Sequence, residues 1–446
     1  AVLSPALDAA ISNCLACKAC GTECPSNVNL ALLKAELLHA RHQRTGVPLS
    51  ARVFSRVDWL GAMASRMPRL ANAMLRSPLV RQIMQRALGI SPHRPLPPYA
   101  RERFDRWFRR HTGEHGRTRT NTDNGEPATG SAPNVDAASC RVEKRLPCLP
   151  PDREASSTLG ARGRVILWDD CFVRYHEPHI GQAAVRVLEA AGYDVVLPEG
   201  RACCGRPAFS MGRLDLAARF GRHNVALLTG NAGLSPLSRA GGRSSDRSDP
   251  SDASLSPSSS SLQSPASGLS GTEPIIFLEA SCYSMFLEDY RELRVPGAEA
   301  VAERVVLFED FIARLLDNTP DALAFDPTPR RTAIHAHCHA QALTDTAVLP
   351  RLAARIPNND VQLLDTGCCG MAGAFGALDA KYALSLQVAA PLVEKINALD
   401  PGTHLVACGT SCRHQIQHLT TARPRHMAEL LADALADGTS ESKTAL

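Results

Sequence analysis

The feature that most restricts how this chain can fold is a duplication in its last two-thirds. In the first copy an apolar run VILW (165–168) precedes Cys171, a helical pattern runs to Gly192, and a second apolar run DVVL (194–197) leads to Cys203–Cys204–Gly205. Another helical pattern, the run IIFL (275–278) and Cys282 follow. The second copy repeats the order: TAIHA (332–336) and Cys338, DVQLL (360–364) and Cys368–Cys369–Gly370, HLVA (404–407) and Cys412. Cys171 to Cys203 is 32 positions and Cys338 to Cys368 is 30. Cys204 to Cys282 is 78 against 43 for Cys369 to Cys412, and a Ser-rich stretch in the first copy accounts for the excess. Short apolar runs alternating with helical patterns predict α/β domains with short parallel sheets. Each repeated cysteine then falls just past the carboxyl end of a strand, where open parallel sheets gather their ligands. The glycine after each pair lets the backbone turn so that both thiols face one point. The competing reading is plain burial, since a free thiol packs well as a small apolar group; matched Cys–Cys–Gly frames argue against it.

A second motif lies near the N-terminus: Cys14-Leu-Ala-Cys17-Lys-Ala-Cys20-Gly-Thr-Glu-Cys24-Pro25. This is CxxCxxCxxxCP, the spacing with which bacterial ferredoxins hold a [4Fe–4S] cluster, and zinc is the alternative occupant. Two-residue gaps let one tight loop reach three corners of a cubane. In two-cluster ferredoxins the fourth cysteine serves the other cluster. No second run is present, so the expectation is that an upstream segment absent from this chain, or a partner, supplies it. Cys140 and Cys148 lie in a linker and are poor substitutes.

The remaining organisation follows from composition. Residues 1–112 form a helical ferredoxin-type block, with helical spacing over Asn29–Arg41 and Pro68–Leu88. A Gly/Pro/Ser/Thr-rich linker covers 113–162 and is expected to be disordered. The first repeat is placed at 163–300, with a disordered Ser-rich insertion at about 233–272; the second is placed at 301–436, and a tail at 437–446. Residues 1–112 hold 17 Lys+Arg against 6 Asp+Glu, a net +11 in a chain of net +4. That bias suits an acidic partner or an anionic lipid surface, or merely solvated helix faces, and no nucleic-acid-binding motif accompanies it. Fifteen cysteines without a signal-like N-terminus indicate thiols kept reduced for metal or redox work, so a cytoplasmic location is expected, with peripheral contact at the inner face of the membrane as a variant.

The segment CLACKACGTECPSNVNLALLKAELL resembles the ferredoxin run of FAD-linked D-2-hydroxyacid dehydrogenases that carry iron–sulfur domains, of the D-2-hydroxyglutarate and D-lactate type. CCGRP (203–207), EASCYSMFLEDY (279–290), HAHCHAQAL (335–343), GCCGMAGAFG (367–376) and GTSCRHQI (409–416) resemble the cysteine-rich "CCG" domains. These domains are shared with glycolate oxidase iron–sulfur subunits, the C subunit of anaerobic glycerol-3-phosphate dehydrogenase and the B subunit of heterodisulfide reductase. The resemblance implies an iron–sulfur module passing electrons from FAD, on an absent domain or partner subunit, to a quinone or a carrier protein. It implies Cys14, Cys17, Cys20 and Cys24 as cluster ligands, and Cys171, Cys203, Cys204, Cys282, Cys338, Cys368, Cys369 and Cys412 as ligands of zinc or further iron–sulfur centres. Heterodisulfide-reductase-type domains end in CxxC, but here Glu279 and Gly409 occupy the first position and Cys408 lies one residue out of frame. A five-thiolate cluster is therefore not expected. A thiol–disulfide enzyme and a zinc-stabilised scaffold are the competing functions. His335, His337 and His339 would share one face of a strand; His337, His339 and Glu279 are the candidate ligands or proton carriers. No GxGxxG loop follows a strand, so no flavin or nicotinamide site is expected on this chain.

Overall fold

A computed structural model describes residues 4–26, 28–119, 162–230 and 271–436. Most of the linker, nearly all of the Ser-rich insertion, the tail, and Cys140 and Cys148 fall outside these residues. The linker's first residues are helical, because the helix Phe104–Arg119 continues through position 113.

Among the described residues seven parallel strands make two sheets. The first holds β1 (Gly163–Trp168), β2 (Tyr193–Val196), β3 (Ile275–Phe277) and β4 (Val305–Leu307) in the order β2-β1-β3-β4. The second holds β5 (Arg330–His335), β6 (Asn359–Leu363) and β7 (His404–Ala407) in the order β6-β5-β7. Because β4 pairs with β3, the first sheet runs past the boundary placed at position 300, and the helix Phe308–Asn318 follows it. The registers of the copies correspond: Trp168, the last residue of β1, pairs with Phe277, and His335, the last of β5, pairs with Ala407. From these residues Cys171 and Cys338 are each three positions on, and Cys282 and Cys412 each five.

The last four residues of β1 and of β5 are all buried, as strands covered on both faces must be. Alternation sends their side chains to different layers. Val165, Leu167, Ile276, Ile334 and Val406 join one continuous core with the helices Pro178–Ala190, Phe308–Asn318 and Met427–Ala434, so the two sheets share a helical layer. Ile166, Trp168, Ile275 and Phe277 face the helix Leu214–Leu228 in a second core, and Ala333, Leu405 and Ala407 a third.

The stretch between the helices Pro78–Leu88 and Phe104–Arg119 touches both repeats. Arg94, fully buried, donates to Gly376 O (2.9 Å) and Ser385 Oγ (3.2 Å) and bonds Gln415, while Ala100 N–H donates to Tyr175 O (2.8 Å). The helix expected over Pro68–Leu88 is two helices, Pro68–Arg76 and Pro78–Leu88. Pro78 has no N–H to continue the ladder and drives Ser77 to extended backbone (ψ 124°). Met67, Leu70, Met74, Leu79 and Ile83 are exposed on this pair, interleaved with exposed Arg66, Arg69, Arg76 and Arg86.

Candidate functional site

At the first repeat four thiols form a buried chain. Cys203 bonds Cys171 and Cys204, and the Cys204 and Cys282 sulfurs are 3.0 Å apart. The backbone around them is held: Asn224 bridges Ala202 N–H and Cys203 O (both 2.9 Å), and Tyr290 donates to Cys204 O (2.8 Å). Gly205, at φ 86°, turns the chain so that its N–H points back at Cys203 Sγ (3.4 Å). The thiol–thiol bond to Cys203 and burial push the Cys171 thiol well up, and Cys282 is pushed up to about 12. Four thiolates in this volume therefore require bound cationic charge. Arg201 stands beside them, with Nη1 3.9 Å from Cys171 Sγ, Nε 3.0 Å from Asp169 Oδ1, and Nη2 buried without a partner.

The second repeat reproduces the arrangement. Cys368 bonds Cys338 and Cys369, and Cys369 bonds Cys412. Gly370 sits at φ 80° and its N–H donates to Cys368 Sγ (3.4 Å); a Cβ there would lie 2.3 Å from Ser385 O, so only glycine fits. Bonds from the Cys338 and Cys369 thiols hold Cys368 down to about 3. His335 lies against Cys412.

The ferredoxin-type run packs over this second site. Cys17 interacts with Cys368 as well as with Cys14 and Cys20, and with Cys338. Ala16 (φ 53°) and Lys18 (φ 67°) take the left-handed conformation that winds the loop tightly, and Ala16 N–H donates to Cys14 Sγ (3.4 Å). Ala16 O accepts from Arg206 Nη2 (3.1 Å) and meets His339 Nε2 (3.0 Å), so the residue three after Cys203 and the residue after Cys338 both grip the loop. Lys18 pairs with Asp289 (2.9 Å) and Glu288 (3.0 Å). Lys34 Nζ donates to Cys14 O (2.5 Å), and Lys381 Nζ to Asn13 Oδ1 (2.7 Å). Two cations thus flank the run.

A tetrahedral zinc site with Zn–S bonds of about 2.3 Å brings its sulfurs about 3.8 Å apart on every edge. The Cys204–Cys282 edge, at 3.0 Å, is shorter than that. Among the described residues the compact ligand group is Glu309, Cys408 and His426, whose ligand atoms all lie within 4.8 Å of one another. That group is not electronically arranged for a metal. His426 Nδ1 accepts from Ala428 N–H (3.0 Å), which puts the proton on Nε2, and Nε2 meets Leu278 O (2.9 Å). Three loops with amide-to-sulfur hydrogen bonds suit iron–sulfur groups.

The histidines do not share a strand face. His335 ends β5, whereas His337 is the N-cap of the helix Cys338–Leu343 and His339 lies within it, because the chain turns into helix immediately after the strand. His337 Nδ1 accepts from His339 N–H (3.1 Å), and its Nε2 is 3.7 Å from Glu279 Oε1. Glu279 caps its own helix through Ser281 and reaches Thr410 N–H of the other repeat (2.8 Å). Both positions where a CxxC would supply a thiol are thus taken. Glu279 fills one, and at Gly409 a Cβ would lie 2.0 Å from His337 Cδ2. Sequence reasoning passed over Arg201 and Arg206; their only signal is closeness to Cys203–Cys204.

Residues 165–234 match the model of the cysteine-rich CCG domain family. The match takes in Cys171, Cys203 and Cys204 of the first repeat. The chain is 24% identical over 412 residues to the C subunit of anaerobic glycerol-3-phosphate dehydrogenase of Escherichia coli, covering 92% of this chain and 83% of that one. It is 23% identical to D-2-hydroxyglutarate dehydrogenase of Pseudomonas putida over 95% of its length, but spans only 34% of that protein. It is also 23% identical over 220 residues to lactate utilization protein A 1 of Bacillus cereus, 48% of this chain and 74% of the relative. The resemblance drawn from the cysteine motifs therefore holds along nearly the whole chain.

Proposed function

We propose that this chain is the iron–sulfur electron-transfer module of a FAD-linked dehydrogenase acting on a 2-hydroxyacid or a similar secondary alcohol. The observation that carries the reading is the grip on the Cys14–Cys20 loop, at Ala16 O, by Arg206 beside Cys203–Cys204 and by His339 beside Cys338. Iron–sulfur groups, when bound, supply one-electron transfer at potentials tuned by nearby charge and hydrogen bonds. The chain's own residues do the positioning. Cys14, Cys17, Cys20 and Cys24 are assigned to [4Fe–4S] chemistry, and the two sulfur chains of the repeats to further iron–sulfur centres. Arg206 of the first repeat and His339 of the second both hold the first loop, so an electron entering through the N-terminal block has a repeat on either side of it. Similarity to one component of a dehydrogenase and to a much longer dehydrogenase supports a flavin-bearing partner domain or subunit. A quinone or a carrier protein is the proposed acceptor.

Among the described residues no helix is long and apolar enough to cross a membrane. The exposed Met, Leu and Ile side chains between arginines on Pro68–Leu88 instead suit peripheral contact with an anionic lipid surface. A thiol–disulfide enzyme is disfavoured, because Glu279 and the His337 ring fill both fifth-thiol positions.

Anaerobic purification followed by iron, sulfide and zinc analysis tests the proposal. Iron with acid-labile sulfide is expected, and Cys17→Ser should remove one paramagnetic signal and perturb that of the second centre. Zinc alone, or no metal, would refute the assignment.

A further inference from the structure

One difference between the two repeats lies at the end of the central strand, beside the thiols. Three residues before the first cysteine, at the last residue of the central strand, stands Trp168 in one copy and His335 in the other. An indole N–H only donates and cannot bind a metal, whereas an imidazole nitrogen can. His335 is 1% exposed and lies against Cys412. Its Nδ1 is 2.8 Å from Thr366 Oγ1, and that hydroxyl is 3.5 Å from Leu364 O. With the hydroxyl donating to Leu364 O, Thr366 Oγ1 accepts from His335 Nδ1–H, and the lone pair sits on Nε2. Nε2 has no oxygen or nitrogen partner, and besides Thr366 the side chain that the ring bonds is the Cys412 thiol. A buried acceptor without an oxygen or nitrogen partner forfeits the hydrogen bond that water would have given it, which leaves it available to a group held by the thiol beside it. An oxygen acceptor on one ring nitrogen, with the second turned toward a ligand thiol, is how metal-binding histidines are oriented. The fifth-thiolate position of this repeat is closed, since a side chain at Gly409 would collide with His337.

We propose that His335 Nε2 is a ligand of the group held by Cys338, Cys368, Cys369 and Cys412, so that the second centre is bound through four sulfurs and one nitrogen while the first is bound through sulfur alone. This rests on the reading that the second repeat holds an iron–sulfur group. Trp168 in the first repeat, with Arg201 5.6 Å over its ring, supplies no nitrogen lone pair. The two centres are therefore inequivalent.

The test uses the full chain, reconstituted anaerobically with iron and sulfide and carrying ¹⁵N-labelled histidine, read by pulsed electron–nuclear spectroscopy. Labelled protein should show a directly bound ¹⁵N coupling that is absent in His335→Phe, with the signal of the N-terminal run unchanged. His335→Cys should retain the iron content of the unaltered chain yet lose the nitrogen coupling, which separates ligation from folding. A second-centre signal, identified by its loss in Cys369→Ser, that carries no nitrogen coupling in the unaltered chain overturns the proposal and leaves the electron-transfer reading standing. If Cys369→Ser changes neither iron content nor spectrum, both fall.

Discussion

Replacing Arg413 with methionine isolates the interaction that ties the second cysteine site to the first repeat. Arg413 follows Cys412, is 2% exposed, and donates to Glu177 Oε2 (2.6 Å) and Oε1 (3.2 Å), Ala407 O (3.0 Å) and Cys408 O (2.7 Å). Burial pushes the Glu177 carboxyl up, but Arg413 outweighs it and holds the group down at about 2, against an ordinary 4.5. That gap corresponds to about 3 kcal/mol. A carboxylate with a depressed folded pKa contributes its stability above the unfolded pKa and loses it as pH falls. The contribution is thus complete above about pH 5 and disappears between pH 4.5 and 2. Arg413→Met leaves Glu177 buried and uncompensated, and the expected loss is about 3–5 kcal/mol. Urea unfolding at pH 7 followed by circular dichroism reads it, and pairing Arg413→Met with Glu177→Gln should restore most of it. Arg413→Met within about 1 kcal/mol of the parent at pH 7, or a double variant no better than the single, would refute the reasoning.

Further expectations follow from the same geometry. Gly370→Ala should cost at least about 1–2 kcal/mol from the left-handed backbone alone, plus the 2.3 Å approach to Ser385 O, and should lower the iron content on metal analysis. Lys34→Gln removes a half-buried cation beside Cys14, which should lower the midpoint potential of the N-terminal centre by roughly 40 mV, about 1 kcal/mol per electron, in a redox titration followed by electron paramagnetic resonance. Leu70→Asp combined with Met74→Asp should abolish flotation with anionic vesicles while leaving iron content unchanged; unchanged flotation would exclude that helix as the lipid-facing surface.

Much of the fold was legible because its signals are local. The period of the apolar runs marks β1, β2, β3, β5, β6 and β7, and two-residue cysteine gaps define a loop whatever surrounds it. β4 was missed because three apolar residues before an amphipathic helix carry no distinct period, so the first repeat was ended too early. The break at Ser77–Pro78 was readable from proline chemistry but was masked by continuous helical spacing. The histidines were misplaced for a related reason. Alternation suggests a strand, yet the helix nucleated at Cys338 takes over one residue after His337.

The cysteine spacing and the duplication were set by residue order alone, since thiol spacing and hydrophobic period act over a few residues. How the N-terminal loop is gripped by both repeats was decided only by packing. Ala16 meets His339 across 323 positions and Arg206 across 190, and Glu279 reaches Thr410 across 131. Such contacts depend on how two nearly equivalent sheets share one core, and a near-symmetric sequence leaves that choice open until side-chain volume and buried charge resolve it.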